Sequence, residues 1–130
     1  MMNGSLQRIL FVDDEADIRT VAKLALEAVG GFTVELAVSG EEALRWAGDF
    51  KPDLLLLDVM MPGMDGPATL RALRAMWQTA EVPAVFLTAR AQANEVAALR
   101  ALGAIAVITK PFDPMTLADQ LRVIWDARDG

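Results

Sequence analysis

The stretch Leu54-Leu55-Leu56-Leu57-Asp58 constrains the fold most. Four leucines run straight into one carboxylate. Lys51-Pro52-Asp53 precedes them, and the loop Met60-Met61-Pro62-Gly63-Met64-Asp65-Gly66 follows Val59. A short apolar run without alternation, bounded by turn residues, predicts a strand buried on both faces. Such strands belong to parallel sheets covered by helices on each side, and ligands of those sheets bind at the carboxyl ends of the strands. Asp58 stands at that end. Taken alone, Asp58 fits a simple turn cap equally well.

The rest of the chain repeats the unit. Leu6 to Val12 predicts a first strand, ending in Asp13-Asp14-Glu15. Asp14 or a neighbour can cap the helix that follows. In that helix Ile18, Val21, Ala22, Ala25 and Val29 recur at helical spacing, and Gly30-Gly31 stops it. Phe32 to Val38 predicts a second strand, with Phe32, Val34, Leu36 and Val38 alternating against Thr33, Glu35 and Ala37. Ser39 and Glu42 have capping-box spacing and open a helix with Ala43, Leu44 and Ala47 inward. After the Asp58 loop, Pro67 suits a helical first turn. That helix turns Leu70, Leu73 and Met76 or Trp77 inward, with Arg71 and Arg74 outward. Asp65 and Gly66 read as loop geometry and capping. Ala84 to Leu87 predicts a fourth strand ending at Thr88. A helix over Ala91–Leu102 follows, with Val96 and Leu99 as its larger apolar residues. Ala104 to Thr109 predicts a fifth strand running into Lys110-Pro111. Asp113-Pro114 open the last helix, lined by Leu117, Leu121 and Ile124 and fraying from Asp126. Trp46, Trp77 and Trp125 fall on helices and read as packing or partner surface.

Strict alternation of strand and helix predicts an α/β fold: a doubly wound, five-stranded parallel sheet. With 130 residues and no linker, residues 1–130 are expected to form one domain with a core over about 6–127. The carboxyl ends of the strands then bring Asp13, Asp14, Asp58, Thr88 and Lys110 to one crevice. The second strand, ending in Val38-Ser39, adds nothing, as expected of an edge. Three carboxylates together repel one another and call for a cation. Mg²⁺ suits oxygen ligands and keeps open positions for phosphate oxygens. Lys110 adds positive charge and Thr88 a hydroxyl. Carboxylates, Mg²⁺, lysine and hydroxyl together suit a phosphoryl group, and an aspartate oxygen can take it as an acyl phosphate.

Composition narrows the function further. The net charge of −6 argues against a nucleic-acid surface. The absence of cysteine and histidine removes thiolate chemistry and the commonest neutral-pH acid–base group. No apolar run has membrane-spanning length, and Met1-Met2-Asn3-Gly4-Ser5 does not resemble a secretion signal, so a cytoplasmic protein is expected.

Four segments carry a family resemblance: Phe11-Val12-Asp13-Asp14-Glu15, Leu57-Asp58-Val59-Met60-Met61-Pro62-Gly63-Met64-Asp65-Gly66, Leu87-Thr88-Ala89 and Lys110-Pro111-Phe112. In this order and spacing, they resemble the receiver domain of bacterial two-component response regulators, of the single-domain, chemotaxis-regulator-like kind. The resemblance implies a flavodoxin-like (βα)5 fold with strand order 2-1-3-4-5. It implies a regulator and not an enzyme, with Asp58 accepting a phosphoryl group from a phosphohistidine of a sensor histidine kinase or histidine phosphotransfer protein. Asp14, Asp58 and the backbone carbonyl of Met60 would hold Mg²⁺ (or Mn²⁺), with Asp13 acting through water. Lys110 would pair with the phosphoryl oxygens. Thr88 would swing in to hydrogen-bond them, helped by the Ala89 amide. The Lys110–Pro111 bond would be cis.

Two features depart from the family pattern or tune it. Family members commonly carry an aromatic three residues before the lysine, where this chain has Val107. Met60 and Arg90 would sit at the mouth and slow water's attack on the acyl phosphate. A Met60→Asn/Arg90→Glu variant is expected to release phosphate faster. A dehalogenase-type phosphatase is disfavoured, because it needs an acid where Met60 stands. A nucleotide-binding module would need a glycine-rich loop where Asp13-Asp14-Glu15 stand. The acidic cluster with Thr88 and Lys110 also argues against a receiver-shaped domain that no longer takes phosphate. The output would be a changed affinity for an unknown downstream protein target or a missing output domain. The state would be monomer or phosphorylation-dependent homodimer, without direct nucleic-acid or membrane contact.

Overall fold

The computed structural model describes residues 4–128. Five parallel strands form one sheet, β1 (Arg8–Val12), β2 (Thr33–Ala37), β3 (Leu54–Asp58), β4 (Ala84–Thr88) and β5 (Ala106–Thr109), in the order β2-β1-β3-β4-β5. Between them run α1 (Ala16–Lys23), α2 (Gly40–Phe50), α3 (Gly66–Arg74) and α4 (Ala93–Ala101), and α5 (Leu117–Ala127) closes the chain.

The run of four leucines in β3 follows from two separate cores. Leu54 and Leu56 join Ile9, Phe11 and Val85 beneath α1, the helical turns that continue it, and α5, where Ala22, Ala25, Leu117 and Leu121 pack. Leu55 and Leu57 join Leu10, Val12 and Phe86 beneath α2, α3 and α4, where Ala43, Leu70, Leu73 and Leu99 pack. All four leucines are fully buried, each stabilising the fold by about 1.5–3 kcal/mol. Successive strand residues point to opposite faces, so a central strand with helices on both sides must be apolar throughout.

Several local expectations need correction. The first helix is α-helical only to Lys23 and continues as a π-helix over Leu24–Val29, closed by the Gly30 amide donating to Ala25 O at 3.1 Å. The wider turn shifts the inward face, so Leu26 is buried and Val29 is exposed. Val38 lies beyond β2 and is exposed, whereas Ala37 is buried. The last helix begins at Leu117: Asp113 accepts from the Met115 amide in a preceding turn, and Thr116 holds the N-cap position. The α5 helix holds through Ala127, so no fraying is seen up to there; residues 129–130 lie outside the described residues. The fourth helix is shorter than expected and buries only Leu99. Of the two alternatives at the end of the third helix, Met76 packs against the core and Trp77 is 86 % exposed, whereas Arg74, expected outward, is half-buried and donates to the carbonyls of Thr79 and Val82. Trp125 is buried, and its indole N–H donates to Gly4 O.

Candidate functional site

The carboxyl ends of β1, β3 and β5 converge as the strand order requires. Pairing sets Val12 beside Leu57 and Asp58 beside Leu87, so Asp13 and Asp58 leave neighbouring strands at adjacent levels. The Lys110 amide donates to Thr88 O at 2.8 Å, which fixes the lysine at the level of Thr88. Lys110 Nζ then lies 2.9 Å from Asp13 Oδ2, 3.0 Å from Asp58 Oδ1 and 3.6 Å from Glu15 Oε1. Asp13 is fully buried, Asp58 is 3 % exposed and Asp14 is open to solvent. The Lys110–Pro111 bond is cis.

Charge is concentrated here with little solvent to screen it. Burial pushes the Asp58 carboxyl above the ordinary aspartate range. The hydrogen bond from Lys110 works against that, while Asp13 and Asp14 add repulsion. Burial alone would lower Lys110, but its close pairing with Asp13 and Asp58 and their charges outweigh burial, and its pKa is raised.

The groups fit a hard divalent cation. Carboxylate oxygens of Asp13, Asp14 and Asp58 all lie within 4.8 Å of one another. Asp13 Oδ2 is buried and, among the described residues, accepts no hydrogen bond of good geometry; its Lys110 contact is ionic. An anionic oxygen left in that condition is the kind a metal or its bound water satisfies.

Thr88 and Met60 stand differently. The Thr88 hydroxyl accepts from the Arg90 amide at 3.1 Å and donates to Arg90 O at 3.3 Å, so it is engaged by its own loop. The Met60 side chain is 75 % exposed. Val107 is half-buried and lines a groove between β5 and α5 together with Phe112 and Ile124. The predicted cap of α1 also differs: Glu15 holds the N-cap position without a side-chain bond, and Asp13 Oδ1 accepts the Glu15 amide instead. The Ser39 cap is present, while Glu42 accepts from the Val38 amide and not from Ser39.

The loop after Asp58 does more than shape a turn and cap a helix. Asp65 does cap α3, accepting from the Ala68 amide. Gly66 does more. Its amide donates to Val59 O, and a Cβ there would stand 2.4 Å from Asp58 O and 2.9 Å from Val59 Cα. The start of α3 is therefore seated directly on the backbone of Asp58. Glu15, near Lys110, is the other residue missed. The run Asp13-Asp14-Glu15 contained the signal, but spacing alone does not say which acid reaches the lysine.

Residues 9–122 match the response regulator receiver domain. The chain belongs to that family. It is 40 % identical over 117 residues to the phosphate regulon transcriptional regulatory protein PhoB of Pseudomonas aeruginosa, covering 89 % of this chain and 50 % of the relative. It is 42 % identical over 120 residues to the transcriptional regulatory protein CpxR of Escherichia coli, covering 92 % and 49 %. This receiver chain thus spans about half the length of the curated relatives it matches. Among solved structures it resembles the chemotaxis protein CheY4 of Vibrio cholerae, with a TM-score of 0.85 and 32 % identity over 92 % of this chain and 99 % of that one. The strand order and the five helices agree with that fold. Among the described residues, no helix of this receiver is long and apolar enough to cross a membrane.

Proposed function

We propose that residues 1–130 act as a single receiver domain, a switch set by phosphorylation of Asp58 and read by a downstream protein. One observation supports this most. Lys110 Nζ bridges Asp13 and Asp58 within 3.0 Å in a buried crevice that holds a third carboxylate nearby. A structural ion pair needs one acid; this lysine faces more negative charge than it can neutralise.

In the reaction, an Asp58 carboxylate oxygen attacks phosphorus. The P–N bond of a phosphohistidine breaks as the new O–P bond forms, and the imidazole leaves with the electron pair. Lys110 stays beside the transferred group, exchanging its bond to Asp58 for one to a phosphoryl oxygen. Thr88 leaves Arg90 and donates to a second phosphoryl oxygen, with the Ala89 amide beside it. Asp13, Asp14, Asp58 and the Met60 carbonyl would hold Mg²⁺ or Mn²⁺, which supplies the positive charge that lets an anionic nucleophile meet an anionic phosphoryl group. Reversal by water attacks phosphorus, breaks the Asp58 O–P bond and returns carboxylate and phosphate.

The phosphoryl donor is a sensor histidine kinase or histidine phosphotransfer protein, since this chain has no histidine. The protein is a cytoplasmic regulator and not an enzyme. It works as a monomer or as a phosphorylation-dependent homodimer. Incubation with acetyl phosphate, followed by intact mass, tests the reading. One phosphoryl adduct that depends on Mg²⁺ and is lost in Asp58→Asn is expected. No adduct, or an equal adduct in Asp58→Asn, overturns it.

A further inference from the structure

The loop between β4 and α4 holds Thr88 in a way the reaction must undo. A hydroxyl has one proton. Thr88 gives that proton to Arg90 O and accepts from the Arg90 amide. The strand below does not move with it, because Thr88 O is tied to the Lys110 amide. Donation to a phosphoryl oxygen therefore requires Thr88 to part from Arg90, and whatever anchors Arg90 opposes that change.

The anchor is Glu95. Its Oε2 lies 3.3 Å from Arg90 Nε, with the arginine side chain 75 % exposed and the glutamate 29 %. Gln92 is the N-cap of α4 and makes no side-chain cap bond, so Glu95 stands three residues into the helix. From there a glutamate ordinarily reaches back to the N-cap amide. Here it reaches past the N-cap, further back along the chain, to the Arg90 side chain instead. Its other oxygen, Oε1, is buried and has no hydrogen-bond partner among the described residues. A buried carboxylate oxygen left without a partner is unfavourable. Glu95 thus has a competing arrangement on its own helix, one it can adopt once Arg90 lets go. That makes the loop a two-state element.

We propose that Glu95 is a positioning residue for Thr88: through Arg90, it keeps the Thr88 hydroxyl engaged with the loop and slows its turn toward a phosphoryl group on Asp58. The inference rests on the reading of Asp58 as phosphoacceptor. It concerns the rate at which the switch is set, and not whether it is set.

The test uses the full chain with acetyl phosphate and Mg²⁺, measuring the rate of adduct formation by intact mass across donor concentrations. Glu95→Gln keeps the shape and removes the charge. Arg90→Met removes the other partner and keeps the backbone groups that hold Thr88. Each variant is expected to raise the rate at saturating donor by about two- to five-fold, the range for an ion pair with an exposed arginine. The donor concentration giving half-maximal rate stays unchanged. The double variant is no faster than either single one, because both remove the same contact. Added salt speeds the wild type toward Glu95→Gln and has a smaller effect on that variant. Thermal melts confirm that each variant is folded, and Glu95→Asp serves if Glu95→Gln is not. An unchanged rate in Glu95→Gln, or gains that multiply in the double variant, overturns the inference while leaving Asp58 as acceptor. Absence of adduct in every chain, wild type included, removes both.

Discussion

Gly66→Ala is the substitution whose consequence the geometry sizes most directly. A Cβ at residue 66 would stand 2.4 Å from Asp58 O. Ordinary van der Waals contact begins near 3.4 Å, so one side must retreat by roughly 1 Å. The neighbours are backbone on both sides. Asp58 ends a strand bonded to its partners, and Gly66 begins a helix capped by Asp65. Neither yields as a flexible side chain would. Overpacking of this kind costs about 1–3 kcal/mol, equivalent to a melting-point drop of about 4–12 °C in a domain of this size. The acceptor carboxylate is carried by the displaced backbone, and a misplacement of about 1 Å at a reacting group costs on the order of 100-fold in rate. The assay pairs a thermal melt with the rate of acetyl-phosphate labelling. Gly31→Ala is the control: Gly31 has φ +77° with open space around it, and it lies at the opposite end of the sheet. It is expected to lose about 1–2 kcal/mol from left-handed backbone strain and to label at the wild-type rate. Gly66→Ala with wild-type stability and wild-type labelling would refute the reasoning.

Three other outcomes follow from the site and its supports. Asp58→Asn is expected to be more stable than wild type at neutral pH by about 1 kcal/mol. The folded-state pKa of Asp58 is raised, so the folded chain holds that proton more tightly than the unfolded one. Ionisation therefore costs stability as pH rises through the shifted range. The advantage of the variant is full above that range and shrinks in urea melts as pH falls toward the ordinary aspartate value. Mg²⁺ at ten times its dissociation constant is expected to stabilise the wild type by about 1.4 kcal/mol. The effect is lost in Asp14→Ala, whose exposed side chain makes that variant a clean probe of metal binding by thermal shift. Asp53→Ala removes the acceptor for the Gln7 and Arg8 amides at the start of β1. A loss of about 1–2 kcal/mol with unchanged labelling is expected from melts and mass.

Most of the fold was legible because burial is periodic. The apolar run at Leu54–Leu57 required two covered faces, and the two cores supply them. Alternation of strand and helix then gave the converging strand ends, and with them Asp13, Asp14, Asp58 and Lys110. What was not legible depends on contacts between distant residues or on small changes of pitch. The π-helical turn at Leu24–Val29 exchanged Leu26 for Val29, a shift the spacing of apolar residues does not encode. Gly66 read as a turn residue because its real constraint is the Asp58 backbone packed against it. The resting partner of the Thr88 hydroxyl, Arg90, was not legible either, because the position of strand ends does not encode which loop group a hydroxyl bonds. Arg74 was placed outward by helical phase, but the carbonyls of Thr79 and Val82 draw its guanidinium back across the loop.

The central claim is that Asp58 carries the phosphoryl group as an acyl phosphate. Borohydride reduces an aspartyl phosphate to homoserine and leaves free aspartate unchanged, so peptide mass analysis after labelling and reduction locates the modified residue. The account predicts homoserine at position 58 alone, only in samples given phosphodonor with Mg²⁺. Conversion at Asp13, Asp14 or Asp65 instead, or none in a protein that is folded and metal-bound, would contradict it.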